Sequence, residues 1–178
     1  MNLQQLLHEY NQGDRNFSAL SLHQASLSKT YLVGINLSQC DLSSVDFSLS
    51  DLSRANLSGA NLTDAELWLT NFSGANLMGA NFIGADLRQA SLVGANLTSA
   101  DLRAADLSEA DLRGADLTEA KLSGATLINA DLTGACIDAR ELENTDYDGA
   151  LLADLVAVVP HKAVANTSPT WVSWGAHG

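Results

Sequence analysis

Gly74-Ala75-Asn76-Leu77-Met78-Gly79-Ala80-Asn81-Phe82 reads as one five-residue unit running into the next: Ala, then Asn, then a large apolar residue, then two variable positions. Outward from this stretch, every fifth residue from Phe17 to Leu152 is Leu, Phe, Ile or Tyr, 28 central positions without an insertion. Twenty-two are Leu; the others are Phe17, Phe47, Phe72, Phe82, Ile137 and Tyr147. Two residues before the central position, Ala fills all thirteen slots from Ala75 to Ala135. One residue before it, Asn or Asp fills 16 of the 20 slots from Asn36 to Asp131, the exceptions being Glu66, Ser91, Lys121 and Thr126. A fixed period of this kind is the signature of a repeat architecture.

The pattern constrains the backbone. In a strand, the Ala slot and the central residue share a face and point inward together. The next Ala lies three residues past the central one, an odd step that a continuous strand would turn outward, so the chain must bend once in every five residues. A helix fails because steps of about 100° carry successive Leu residues around the whole cylinder and leave no apolar stripe. The density of Asn, Asp, Ser and Gly also opposes a helix. Short strands alternating with turns, closing into stacked coils, satisfy the pattern.

Tandem Ala-(Asp/Asn)-Leu-x-x resembles the pentapeptide-repeat family, and the resemblance covers residues 17–152. It implies an all-β solenoid, a right-handed quadrilateral β-helix in which four repeats form one square coil. On that geometry there are about seven coils, and Leu57, Leu77, Phe82, Leu97 and Leu117 belong to the structural core. Thr30, Ser50 and Thr70 occupy Ala slots 20 residues apart, as a stacked polar ladder in such a coil would. A period of five excludes the hexapeptide β-helix and the leucine-rich repeat.

Open coil ends expose unpaired backbone, so terminal caps are expected. Leu3, Leu6, Leu7 and Tyr10 follow helical spacing and Gly13 is a suitable stop, which predicts a capping helix within residues 1–14. A membrane-anchoring helix fits poorly, because its polar face is Gln, Asn and Glu. Residues 15–154 form the predicted β-helix and residues 155–178 a C-terminal cap and partly ordered tail. Arg140 falls on an Ala slot, where an unpaired buried charge is prohibitive; either the wall bends there or the side chain escapes through the open end. Trp171 and Trp174 lie in the tail, where a homodimer contact through the C-terminal end is a second reading.

Net charge is −12 with pI near 4.4, which opposes direct binding to nucleic acid or to an anionic membrane and makes a basic protein partner, or a cation, the electrostatic complement. No apolar run reaches the length of a membrane span, and the start of the chain has no cationic or apolar leader, so a cytoplasmic location is expected. Cys40 and Cys136 do not suggest a disulfide framework. His8, His23, His161 and His177 show no ligand spacing, and no phosphate loop, zinc signature or nucleophile elbow occurs. No catalytic, cofactor or metal residue is therefore assigned, and the chain is not expected to be an enzyme.

Two surface features depart from the repeat. With a 20-residue coil, Asp46, Glu66, Asp86 and Asp106 form an acidic ladder on one wall, with rungs about 4.8 Å apart. Like charges at that distance are mildly destabilising and would suit a basic partner; alternatively, Asp merely bonds local backbone, as Asn does. Leu49, Trp68 and Leu69 occupy outward positions of the same wall and form a candidate partner patch. Cover by a chain terminus or a dimer contact is the rival explanation.

These observations support a non-catalytic interaction or scaffold module. A DNA mimic acting on a type II topoisomerase is the alternative that the resemblance allows. Residues 101–154 hold thirteen acidic and four basic residues, close to one net charge per ~1.4 Å of rod against about 1.7 Å in duplex DNA. That density extends over less than half a helical turn, and the frame has no inserted loops. A purely structural spacer is the third reading.

Overall fold

The computed structural model describes residues 2–156 in full and the backbone of 157–158 and 172–173. Parallel bridges join flanking residues 20 positions apart, from Asn16 with Asn36 to Asp131 with Leu151, with one interruption after Lys121. One circuit therefore takes four repeats, and the chain climbs one rung per circuit.

Every amide of a repeat has a use, and this explains the sequence pattern. The central N–H crosses to the following coil, as from Leu57 N to Asn76 O at 2.8 Å. The amide two residues later crosses likewise, from Gly59 N to Met78 O at 2.9 Å. The Ala-slot amide closes a turn, from Ala60 N to Leu57 O at 3.0 Å, and the flanking amide reaches back a coil, from Asn61 N to Cys40 O at 2.9 Å. The remaining amide, next after the central residue, is taken by the Asn or Asp side chain two positions before it, as from Ser58 N to Asn56 Oδ1 at 3.1 Å. Buried backbone groups need such partners, and only the short Asx side chain reaches back in this way. The Asn/Asp preference is thus a backbone requirement.

The bend predicted once per repeat is a β-turn whose second corner has positive φ. Glycine reaches that region without strain, and it occupies the corner at Gly59, Gly74, Gly79, Gly84 and Gly94. Inside, Leu57, Leu77, Phe82 and Leu97 are fully buried, Leu117 is 1% exposed, and Ala55 to Ala135 line the space between them. The Thr30–Ser50–Thr70 ladder is satisfied internally. Ser50 Oγ donates to Leu27 O at 2.7 Å, and Thr70 Oγ1 donates to Phe47 O at 2.8 Å.

Helix α1 (Leu3–Asn11) begins at Asn2, whose side chain accepts the Gln5 amide at 2.8 Å. It buries Leu6 completely, packs Leu3, Leu7 and Tyr10 against the core, and donates Tyr10 Oη to Val33 O of the first coil at 3.0 Å.

At the other end, strands β1 (Asp116–Leu117), β2 (Cys136–Asp138) and β3 (Val156–Val158) pair in parallel, and β4 (Val172–Ser173) adds antiparallel to β3. The ladder thus runs past residue 154, where the sequence period is lost: Val156 pairs with Cys136 in the same 20-residue register. Arg140 lies in a short helical turn, α2 (Ala139–Leu142), which swings it into solvent to pair with Asp138 at 2.7 Å. The wall bends there, and the bridge that Lys121 would make with Glu141 is absent from the ladder. Tyr147 holds a central slot in the sequence but is 43% exposed, because the last circuit faces the open end.

Candidate interaction surface

The bridges Asp46–Glu66, Glu66–Asp86 and Asp86–Asp106 place the four acidic residues in one column. Three of them serve the local backbone. Asp46 Oδ1 accepts the Ser48 amide at 2.9 Å, Asp86 Oδ1 the Arg88 amide at 3.1 Å and Asp106 Oδ1 the Ser108 amide at 3.0 Å. Asp86 is also chelated by its own repeat, with Arg88 Nε at 2.8 Å from Oδ1 and Nη2 at 2.6 Å from Oδ2. The hydrogen bonds from Arg88 hold the Asp86 carboxyl below the usual carboxylate range. Asp101 with Arg103, Asp111 with Arg113 and Asp138 with Arg140 repeat the arrangement, each carboxyl lowered by its arginine. The sequence signal for these clamps is Asp-x-Arg, with Leu between in three and Ala139 in the fourth, which charge counting passes over.

Glu66 differs. It is exposed and one methylene longer than Asp, and its carboxylate makes no hydrogen bond or ion pair among the described residues, so the Trp68 amide has no side-chain acceptor. In the same repeat Trp68 is 39% exposed, and Leu69, at the second turn corner, is 40% exposed with φ +55°. One coil earlier Leu49 holds the same corner at φ +62° and 43% exposure, its amide donating to Trp68 O at 2.9 Å. A branched side chain in left-handed backbone costs about 1–2 kcal/mol. Glu66 thus leaves the Asn/Asp slot, and beside it Trp68 and Leu69 set two large apolar side chains next to each other in outward positions. Behind them, Ser50 and Thr70 tie the two Leu corners inward to the coil before.

Sequence reading missed four further exposed apolar residues, Tyr31, Val33, Met78 and Leu151. Tyr31, on the adjoining wall, is 80% exposed in a slot that normally holds Asn or Asp, and Met78, on the opposite wall, is 48% exposed. Cys40 is buried, with burial pushing its thiol up, and Cys136 is half-buried. His23 Nδ1 lies 2.9 Å from Ser43 O and 2.8 Å from Ser43 Oγ, and Ser43 Oγ in turn donates to Asp41 at 2.6 Å. This cluster staples two coils together. Trp171, Trp174, His161 and His177 lie outside the described residues. No helix among the described residues is long and apolar enough to cross a membrane.

A four-sided parallel β-helix with a filled interior and its exposed variation on the walls defines the class. The pentapeptide-repeat family model matches residues 21–59, 55–94 and 95–134, in eight copies. The chain belongs to the pentapeptide-repeat family, whose solved members are right-handed quadrilateral β-helices. It is similar to the pentapeptide repeat protein Rfr23 of the cyanobacterium Cyanothece 51142, at 26% identity and TM-score 0.58, over 83% of this chain and 100% of that one. It is also similar to HetL, involved in heterocyst differentiation regulation in the cyanobacterium Nostoc sp. strain PCC 7120, at 29% identity and TM-score 0.44, over 92% and 99% of the two chains. A trypsin-treated form of QnrB1, a plasmid-mediated fluoroquinolone resistance protein, matches at 21% identity and TM-score 0.41, over 79% and 86%. No curated protein sequence matches the chain.

Proposed function

We propose that this chain is a non-catalytic, cytoplasmic protein-interaction module: a rigid rod of about seven coils that engages a partner through the wall bearing Leu49, Trp68 and Leu69. The observation that carries the reading is the repeat Ala65-Glu66-Leu67-Trp68-Leu69, in which Glu replaces the Asn/Asp of the flanking slot and two large apolar residues fill both variable outward positions. Exposed large apolar side chains beside one another are the usual mark of a docking surface.

A photo-crosslinking amino acid at Ser48, one rung from Trp68, tests this in the native host, with Ser58 on the adjacent coil of the opposite wall region as control. A discrete adduct from position 48 and none from position 58 is expected. Equal labelling from both positions, or none from either, rejects the module.

The DNA-mimic reading draws on the acidity of residues 101–154. The four bases already subtracted in that net charge are paired locally. Arg103 and Lys121 lie 2.7 and 3.9 Å from Asp101, Arg113 lies 2.6 Å from Asp111 and 3.8 Å from Asp131, and Arg140 holds Asp138. A gyrase supercoiling assay separates the readings: the interaction module leaves supercoiling unchanged at micromolar protein.

A further inference from the structure

We propose that the Leu49–Trp68–Leu69 surface takes an amphipathic helix of a partner protein, its apolar stripe flanked by Lys or Arg, laid along the axis of the rod. The inference rests on the interaction reading above and specifies the partner's chemistry.

Strand addition is disfavoured by the wall itself. The amides and carbonyls on either side of the patch are already spent between coils: Leu49 N to Trp68 O at 2.9 Å, Leu69 N to Arg88 O at 3.0 Å, and Leu67 N to Asp86 O at 2.8 Å. Recognition must therefore come from side chains. Leu49 and Leu69 hold the same corner on adjacent coils, about 4.8 Å apart along the axis. Residues one turn apart on an α-helix have Cβ atoms about 5–6 Å apart, so two successive anchors of a helix fall against two successive rungs.

Charge sets the flanks. Glu66 stands beside Trp68 with no local partner, Asp46 is the rung before it, and Asp64 is exposed at the preceding corner. Along the axis the patch is closed by cations, with the exposed Lys29 at the corner one coil before Leu49 and Arg88, clamped by Asp86, on the rung after Trp68; the acidic side is the one that faces the Asp46–Glu66 column. An apolar spot whose long side is acidic, inside a chain of net charge −12, favours Lys or Arg on the flank of the helix that faces Asp46 and Glu66. A second copy of the chain carries the same acidic border, and three side chains about two-fifths exposed fall well short of the ~800 Å² per partner of a standard interface. The surface suits one or two anchor side chains of a helix.

The test is a displayed library of helical peptides with a Leu/Phe/Met/Trp stripe and flanks randomised among Lys, Arg, Asp, Glu, Gln and Ser, selected on the immobilised full-length chain. Enriched peptides are then measured by fluorescence anisotropy against the parent chain, Trp68→Ser, Glu66→Gln and, on the opposite wall, Met78→Ser. Each variant is first shown to keep its cooperative thermal transition. Lys/Arg-flanked peptides are expected to dominate, to bind about tenfold or more tightly than their Glu/Asp-flanked counterparts, to weaken with salt and with Glu66→Gln, and to lose binding with Trp68→Ser but not Met78→Ser. Enrichment without a basic bias, binding indifferent to Trp68, equal binding of a proline-interrupted peptide, self-association that Trp68→Ser abolishes, or no enrichment at all each overturns the proposal. If the crosslink from position 48 forms while these fail, the interaction module stands and only the basic-helix partner falls.

Discussion

Glu141 Oε2 accepts the backbone amide of Leu122 at 2.9 Å. One coil earlier the equivalent amide, Leu102 N, reaches the backbone carbonyl of Lys121 at 2.8 Å. The α2 turn removes that carbonyl from the ladder, and a side-chain carboxylate takes its place. Beyond the repair the ladder is slipped by one residue, with Gly124 N donating to Asn144 O, and then returns to register with Asp146 bridged to Thr126.

Glu141→Ala leaves the Leu122 amide without an acceptor beside a fully buried side chain, which costs about 1–3 kcal/mol. Glu141→Gln keeps an oxygen there and costs less. Urea denaturation and hydrogen exchange at the Leu122 amide check this; protection unchanged in Glu141→Ala shows that the carboxylate is not the acceptor in solution.

Leu97→Ala, in mid-shaft, is expected to cost about 2–5 kcal/mol, because Leu97 is fully buried and neighbouring coils hold the cavity open. The midpoint of urea unfolding reads it directly. A midpoint that does not move contradicts the packed interior.

Leu49→Asn and Leu69→Asn are expected to leave stability unchanged or to raise it by up to ~1 kcal/mol, since Asn tolerates left-handed backbone better than Leu. Both corners have φ above +50°. The same substitutions remove the apolar patch. Thermal melts decide the matter: a clear loss of stability means that these leucines serve the fold as cover.

Acid lowers stability through the Asp–Arg clamps. The carboxyls of Asp86, Asp101, Asp111 and Asp138 are depressed in the fold by their arginines, so their contribution is complete above the unfolded value near ~3.9 and is lost as pH falls through the lower folded values. Asp41, lowered by its hydrogen bonds from Ser43, acts in the same sense without an arginine. The diagnostic is therefore the difference between the parent and an Arg88→Gln, Arg103→Gln, Arg113→Gln variant, whose melting temperature should fall less between pH 5 and pH 2. Parallel pH profiles remove the clamps from the account.

The shaft is legible in sequence because two inward positions in every five carry unbroken Leu and Ala, and a single period then fixes which residues face in. The turn was also legible, as an odd step between inward positions. The purpose of the Asn/Asp slot was less so: the sequence is equally consistent with an acidic binding ladder, and only the bond from Ser48 N to Asp46 Oδ1 shows the side chain serving the backbone. The last circuit hides for another reason. Ala157 holds the central slot of β3, so the apolar period stops while the hydrogen-bonded ladder continues to Val158. At Arg140 a forbidden residue signals a bend, but the carboxylate that mends it is visible only in three dimensions. The patch was readable as three large apolar residues. Its distinguishing companion, the unpartnered Glu66, became readable once the use of its neighbours was known.

The 20-residue circuit also limits how such a surface can change over evolutionary time. Gain or loss of one pentapeptide leaves every local repeat intact, yet it rotates everything downstream by a quarter turn and sends Leu69 to a different side from Leu49. Only changes in whole circuits keep the two in phase. A descendant that lengthens or shortens between these residues by other multiples of five would fold as well and lose its surface, so indel lengths among relatives become a record of which walls were worth preserving.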